Sequence, residues 1–164
     1  MAELEQDPAY RERQAALEAE DEQQKARLAK AEKPLLADLA AIGIRTDSAW
    51  NLYQDPGSLP EAIPVLLDHL EREYPDKVLE GIANALDDRS ARDSWHQIKT
   101  IYLSTVKATV RDRLAAVMAG IAVRAHYDDL LWFLTQESLG ETRIYFLVRC
   151  TASGIAWPRA RVAG

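Results

Sequence analysis

The chain contains three similar segments: PDKVLEGIANAL at Pro75–Leu86, TVRDRLAAVM at Thr109–Met118 and ETRIYFLVR at Glu141–Arg149. Each segment opens with polar residues, continues as an apolar run with helical spacing, and follows another apolar helical stretch. Val78 and Val110 are 32 residues apart, and Val110 and Ile144 are 34 apart. A period in this range is typical of stacked helix pairs, in which no pair can bury its apolar face alone. The sequence therefore predicts an all-α solenoid, a type of fold that presents a surface for holding another molecule.

Composition divides the chain into three regions. Residues 1–33 are rich in strong helix formers and poor in apolar side chains, which predicts one long charged helix with Asp7 as its cap and Pro8 at its first position. Residues 34–154 carry the apolar stripes of the paired helices, and the first helix of this region is expected to begin near Pro34 and end at Gly43. Residues 155–164 form the predicted C-terminal tail.

Bulk properties predict one globular domain in the cytoplasm. The 164 residues suffice for one core, and no apolar run approaches the roughly 20 residues that a membrane-spanning helix needs. The first residues are acidic and lack the apolar stretch of a secretory signal. Cys150 is the single cysteine, so an internal disulfide cannot form, which fits a reducing compartment. We interpret Cys150 as a small buried apolar residue.

Charge is unevenly distributed along the chain, whose net charge is −6. Residues 35–88 hold eleven acids and three bases, a balance of −8, whereas residues 89–136 hold four acids and seven bases, a balance of +3. A stack with an acidic front and a mildly basic back would steer an oppositely charged partner. The alternative is that these charges only solvate exposed helix faces.

The paired segments resemble HEAT repeats, and in particular a group of bacterial HEAT-like proteins. The resemblance covers about Pro34 to Gly154 and is carried by Pro64–Leu70, Tyr74–Asp76, Gly81–Leu86 and Gly140–Arg143. It implies a right-handed α-α superhelix of about three to four helix pairs, and a role as a protein-binding scaffold or adaptor. The chain departs from the family in its brevity, since three clear pairs and a partial one are near the minimum for a stable array.

The residue pattern predicts no catalytic residue, metal or cofactor. His69, His96 and His126 lie in separate regions without the spacing of metal ligands, and no cysteine pair accompanies them. The glycines form no phosphate-binding loop, and no GxSxG motif is present. Neighbouring carboxylates such as Asp87-Asp88 do not face each other on a helix, which makes them poor acid–base pairs. An enzyme would need a site assembled from residues distant in sequence.

Nucleic-acid binding is the second functional hypothesis, because some HEAT-like proteins are DNA glycosylases acting on alkylated bases. Those proteins tend to be basic, whereas this chain has an isoelectric point near 5.1. Phosphate binding needs several clustered cations. The candidates are Arg89, Arg92, Lys99, Lys107, Arg111 and Arg113. The acidic balance disfavours this hypothesis.

Protein binding is the favoured hypothesis, as an adaptor or regulatory subunit; a narrower variant is an acidic inhibitor or immunity-type protein for a basic partner. In a HEAT-like stack the second helix of each pair lines the concave side. The predicted partner-binding residues are Lys77, Glu80, Asn84, Arg111, Arg113, Tyr145, Phe146 and Arg149. Ile144, Leu147, Val148 and Thr151 are expected on one face of the last helix, the face toward the core. Because Ile144–Val148 is apolar on nearly every side, it is either a docking patch or covered by the tail or by the N-terminal helix.

Overall fold

The computed structural model describes residues 8–54 and 59–154, apart from the side chains at positions 9, 53, 54 and 59. Seven α-helices lie in these ranges: α1 Pro8–Ala41, α2 Leu59–Leu70, α3 Asp76–Ala85, α4 Trp95–Ser104, α5 Ala108–Ile121, α6 Tyr127–Thr135 and α7 Arg143–Ala152. Short 3₁₀-helices occupy Ala49–Gln54, Arg89–Ser94, Arg124–His126 and Glu137–Thr142. The described residues contain no strand, so the predicted all-α class is confirmed.

Helix α1 is continuous across Pro34, where the sequence predicts that a separate helix begins. A proline inside a helix costs about 3 kcal/mol. Burying a leucine contributes about 1.5–3 kcal/mol, and the side chains of Leu35 and Leu39 are both completely buried, so packing offsets the proline. Residues 11–27 are exposed, and packing on the domain starts at Leu28. The predicted boundary between residues 33 and 34 therefore falls inside this helix. The helix ends at Ala41, shortly before Gly43, which adopts a φ of 90°.

The remaining helices form three pairs, α2 with α3, α4 with α5, and α6 with α7. Helix α3 packs on α5 and α5 packs on α7, so the second helices of the pairs form a continuous row. Helix α2 contacts α4, and α1 covers α2 and α3 at the first pair. This order of neighbours fits stacked helix pairs; the right-handed superhelical sense stays a prediction.

Buried positions in the row recur every 32 residues. Ile82, Leu114 and Phe146 are completely buried in α3, α5 and α7 respectively. One helical turn later, Leu86 and Met118 are completely buried and Cys150 is 3% exposed. The sequence spacing of 34 between Val110 and Ile144 therefore overestimates the structural period by two residues, which places α7 in a different rotational register from the predicted one.

Polar side chains fasten α1 to the first pair and to the segment that follows α1. The buried His69 is bonded through Nε2 to Asp38 Oδ2 at 2.8 Å and through Nδ1 to the Tyr74 hydroxyl at 2.7 Å. With a neutral imidazole, Nε2–H donates to Asp38 and the tyrosine hydroxyl donates to Nδ1. Near the other end of this contact, the Ser48 hydroxyl donates to Glu32, which is 4% exposed. His69 thus links α1, α2 and the turn before α3 inside the fold.

The first helices of the second and third pairs are joined by a separate cluster. The Trp95 ring stacks on His126 with centroids 3.9 Å apart, and its Nε1–H donates to Asp129 at 2.7 Å. Lys99 also bonds to Asp129. Burial lowers the pKa of His126.

Candidate interaction surface

The exposed sides of α3, α5 and α7 form one surface, which we call the second-helix face. Lys77 is exposed on it, and Glu80, Asn84 and Arg113 are half-buried. Tyr145 and Arg149 are half-buried where α7 meets α5. Six of the eight predicted partner-binding residues therefore lie on or at the edge of this face.

The seam between α3 and α5 is closed by Asp87 lying over Gly120. A Cβ atom at Gly120 would be 2.8 Å from Asp87 Oδ1, so the carboxylate rests directly on the helix backbone. Surrounding protein and the neighbouring Asp88 raise the pKa of Asp87, while Arg113 on α5 acts in the opposite direction. Asp87 and Arg113 thus place opposite charges on the two sides of this seam.

The seam between α5 and α7 is closed by two hydrogen bonds. The Tyr145 hydroxyl donates to Asp112 Oδ2 at 3.0 Å, and Arg149 Nη2–H donates to the Ala122 carbonyl at 2.6 Å. The bond to Asp112 raises the pKa of Tyr145. Tyr145 and Arg149 thus hold α7 on α5 and present only part of their surface to solvent.

Phe146 does not belong to the surface, so its assignment as a partner-binding residue is wrong. Its side chain is completely buried, with ring centroids 4.7 Å from Phe133 and 5.7 Å from Tyr102. The side chains predicted to face the core point outward instead, since Ile144 is 58% exposed, Leu147 42% and Val148 60%. Five consecutive apolar residues allow two choices of buried face, and the 32-residue register selects the face that contains Phe146.

Arg111 also lies off the second-helix face. Its Nη2–H donates to the Thr105 carbonyl in the turn between α4 and α5, and its buried Nε has no hydrogen-bond partner in the structure. The side chain therefore lies against the α4–α5 turn, away from Arg113.

Most of the candidate phosphate-binding cations are engaged inside the fold. Arg92 donates to the Ile121 carbonyl at 3.0 Å, and Lys99 pairs with Asp129. Lys107 donates to the Tyr74 carbonyl at 2.8 Å and lies 3.1 Å from Asp76. With Arg111 bonded to Thr105, four of the six predicted cations hold protein acceptors. A nucleic acid would have to compete with these bonds.

Trp50 borders the second-helix face, although no pattern in the sequence predicts a binding role for it. Its Nε1–H donates to the Lys77 carbonyl at 3.3 Å, and the side chain is 40% exposed. Lys77 Nζ lies 6.0 Å from the centre of this ring and 2.9 Å from Glu80. The available signal was Gly81, because glycine in the middle of a helix indicates a close neighbour.

The described residues were compared with the requirements of a metal site and of a membrane-spanning helix, and the chain with known proteins. Within residues 8–54 and 59–154, no group of three or more His, Cys, Asp or Glu side chains is arranged to hold a metal ion. Among the same residues, none of the helices combines the length and apolar content needed to cross a membrane. Comparison with family models, with curated proteins and with solved structures gives no match.

Proposed function

We propose that this chain is a non-catalytic protein–protein interaction module, an adaptor or regulatory subunit that binds another protein through the second-helix face. The observation that carries the proposal is the closure of both seams, by Asp87 over Gly120 and by Tyr145 with Asp112. Because the seams are closed, three helices from three successive pairs offer one continuous surface. The order of neighbours in the row supports a HEAT-like stack as the scaffold of this surface.

The chemistry of the second-helix face favours a protein as its partner. Acidic and basic groups alternate across it, with Glu80 and Asp112 near Lys77 and Arg113. Aromatic rings, which are enriched in protein interfaces, stand at its two edges as Trp50 and Tyr145. A nucleic acid is disfavoured because most of the predicted phosphate-binding cations already hold protein acceptors.

The charge balance narrows the class of partner. The acidic excess of residues 35–88 includes Glu80 and Asp87, which lie on the α3 side of the face. A partner with a basic patch opposite α3 would associate faster through electrostatic steering. This supports the variant in which the chain is an acidic inhibitor or immunity-type protein. We place this role in the cytoplasm because the lone cysteine has no partner for an internal disulfide.

The test is affinity capture from the native host followed by mass spectrometry. Ala116 is half-buried in α5, the middle helix of the second-helix face, so Ala116→Glu introduces a charge near the centre of this face. Ala37→Glu on the exposed side of α1 is the matched control. We expect one specific protein to be captured by the wild type and the control and lost with Ala116→Glu, while circular dichroism shows the same helix content. Equal capture by both variants would remove the binding site from this face.

A further inference from the structure

The 32-residue register assigns a forward row of side chains to each second helix, meaning the row that faces the next pair. In α3 the row contains Glu80, Ala83 and Asp87; Ala83 is completely buried and Asp87 lies over Gly120 of α5. In α5 the equivalent row is Asp112, Ala115 and Ala119. Ala115 is completely buried, and Asp112 accepts the hydrogen bond from Tyr145 of α7. In both cases the following second helix lies on the row.

The forward row of α7 is exposed, and two of its three side chains are apolar. Adding 32 to positions 112, 115 and 119 gives Ile144, Leu147 and Thr151, of which Ile144 is 58% and Leu147 42% exposed. Beside the row runs a groove of about 320 Å³ lined by Leu134, Gly140, Glu141, Arg143, Ile144 and Leu147. Within the described residues, no helix lies on this row as α5 lies on α3 and α7 on α5.

We propose that an amphipathic α-helix of the partner protein docks on the forward row of α7, in the place that the next second helix of the stack would occupy. This inference rests on the proposed function and assigns part of the contact to a defined site. Continuity with the α3–α5 and α5–α7 contacts carries it, because the same row is covered by a helix at both earlier steps. The ten residues of α7 span about 15 Å, which matches two to three turns of a partner helix.

The size of the side chains defines the chemistry of the docking helix. Leu147 stands where α3 and α5 have Ala83 and Ala115, so a helix cannot approach as closely there unless its own residue opposite Leu147 is small. Ile144 and the groove beside it can accommodate aliphatic side chains of the partner helix, one turn away from its small residue. The partner therefore presents an apolar stripe at i, i+3, i+4 and i+7 with alanine or glycine at its centre.

The test uses the full chain and an 18-residue idealised helical peptide that carries fluorescein. Its stripe combines leucine with a central alanine, and glutamate and lysine fill the other positions. Fluorescence anisotropy measures binding to the wild type, to Leu147→Glu and to the control Val106→Glu, which changes a side chain that is 91% exposed in the α4–α5 turn. We expect Leu147→Glu to weaken binding at least about tenfold, a loss typical of an apolar interface centre. We expect the control to bind like the wild type, and a peptide with a scrambled stripe not to bind.

Three results would overturn the inference: no binding by the wild-type chain, equal binding by Leu147→Glu and the control, or equal binding of the scrambled peptide. A wild-type dimer that Leu147→Glu converts to a monomer in analytical ultracentrifugation would assign the row to a second copy. Binding that appears only after Trp157→Asp would assign it to residues 155–164, and either outcome rejects a partner helix. Ala116 lies in α5 and Leu147 in α7, and the two experiments use different probes. A failure at Leu147 therefore leaves the capture result with Ala116→Glu intact, and the reverse also holds.

Discussion

Two glycines in the second helices, Gly81 and Gly120, differ in the space that an added Cβ atom would find. A Cβ at Gly81 would lie 2.7 Å from Trp50 Nε1, whereas a Cβ at Gly120 would meet only the carboxylate tip of Asp87 at 2.8 Å. The indole is a rigid ring that is hydrogen-bonded to the Lys77 carbonyl, while the Asp87 tip can rotate away. Alanine in place of glycine in a helix gains about 0.5–1 kcal/mol, and overpacking costs about 1–3 kcal/mol.

We therefore expect Gly81→Ala to lower the free energy of unfolding by about 1 kcal/mol and Gly120→Ala to raise it by about 0.5 kcal/mol. Urea denaturation of both variants measures the two signs. Acrylamide quenching should also show a more accessible tryptophan in Gly81→Ala only, because Trp50 must swing outward. A stabilised Gly81→Ala with unchanged quenching would mean that Trp50 does not pack on α3.

Helix α7 is a helix whose existence can be predicted from the sequence but whose buried face cannot. The existence, type and order of the paired helices follow from apolar spacing and from turn residues such as Pro75 and Gly43. The buried face of α7 does not, because Ile144–Val148 is apolar on all sides and periodicity alone cannot choose. The choice is made by distant contacts, since the Phe146 ring packs on the rings of Tyr102 and Phe133. Continuity through Pro34 is decided in the same way, by the burial of Leu35.

The face of α7 can be tested with one pair of truncations. Phe146→Ala removes a completely buried ring and is expected to cost about 3–5 kcal/mol of unfolding free energy. Ile144→Ala, on the exposed side of the same helix, should change the free energy by less than about 1 kcal/mol. Urea titration followed by circular dichroism gives both values. Equal losses would restore the face predicted from the sequence.

Two carboxyl groups on α1 make the stability of the fold depend on pH. The hydrogen bond from His69 holds the pKa of Asp38 below its ordinary value, so this carboxylate stabilises the fold above about pH 3.9; that stability is lost as the pH falls through the lowered pKa. Burial raises the pKa of Glu32, so its ionised form opposes folding at neutral pH. This penalty disappears as the pH falls through the raised pKa toward the ordinary glutamate value of about 4.3.

We expect Asp38→Asn to lower the unfolding free energy at pH 7, by an amount that shrinks as the solution becomes more acidic than the ordinary aspartate pKa. Glu32→Gln keeps an oxygen that can accept from Ser48 and should raise stability at pH 7. Its advantage should shrink as the pH approaches about 4.3. Denaturant midpoints between neutral and acidic pH check both directions. Parallel pH profiles for the two variants would exclude the opposed roles of these carboxyl groups.

The position of Cys150 makes its thiol a reporter of local opening in the last helix pair. The thiol is 3% exposed in α7 and is the single cysteine of the chain, and burial raises its pKa. An alkylating reagent therefore reacts only when α7 opens, and every modified molecule records one such event. The rate of alkylation, followed by mass spectrometry on the unaltered chain, measures how often α7 opens. A ligand bound to α7 would lower this rate.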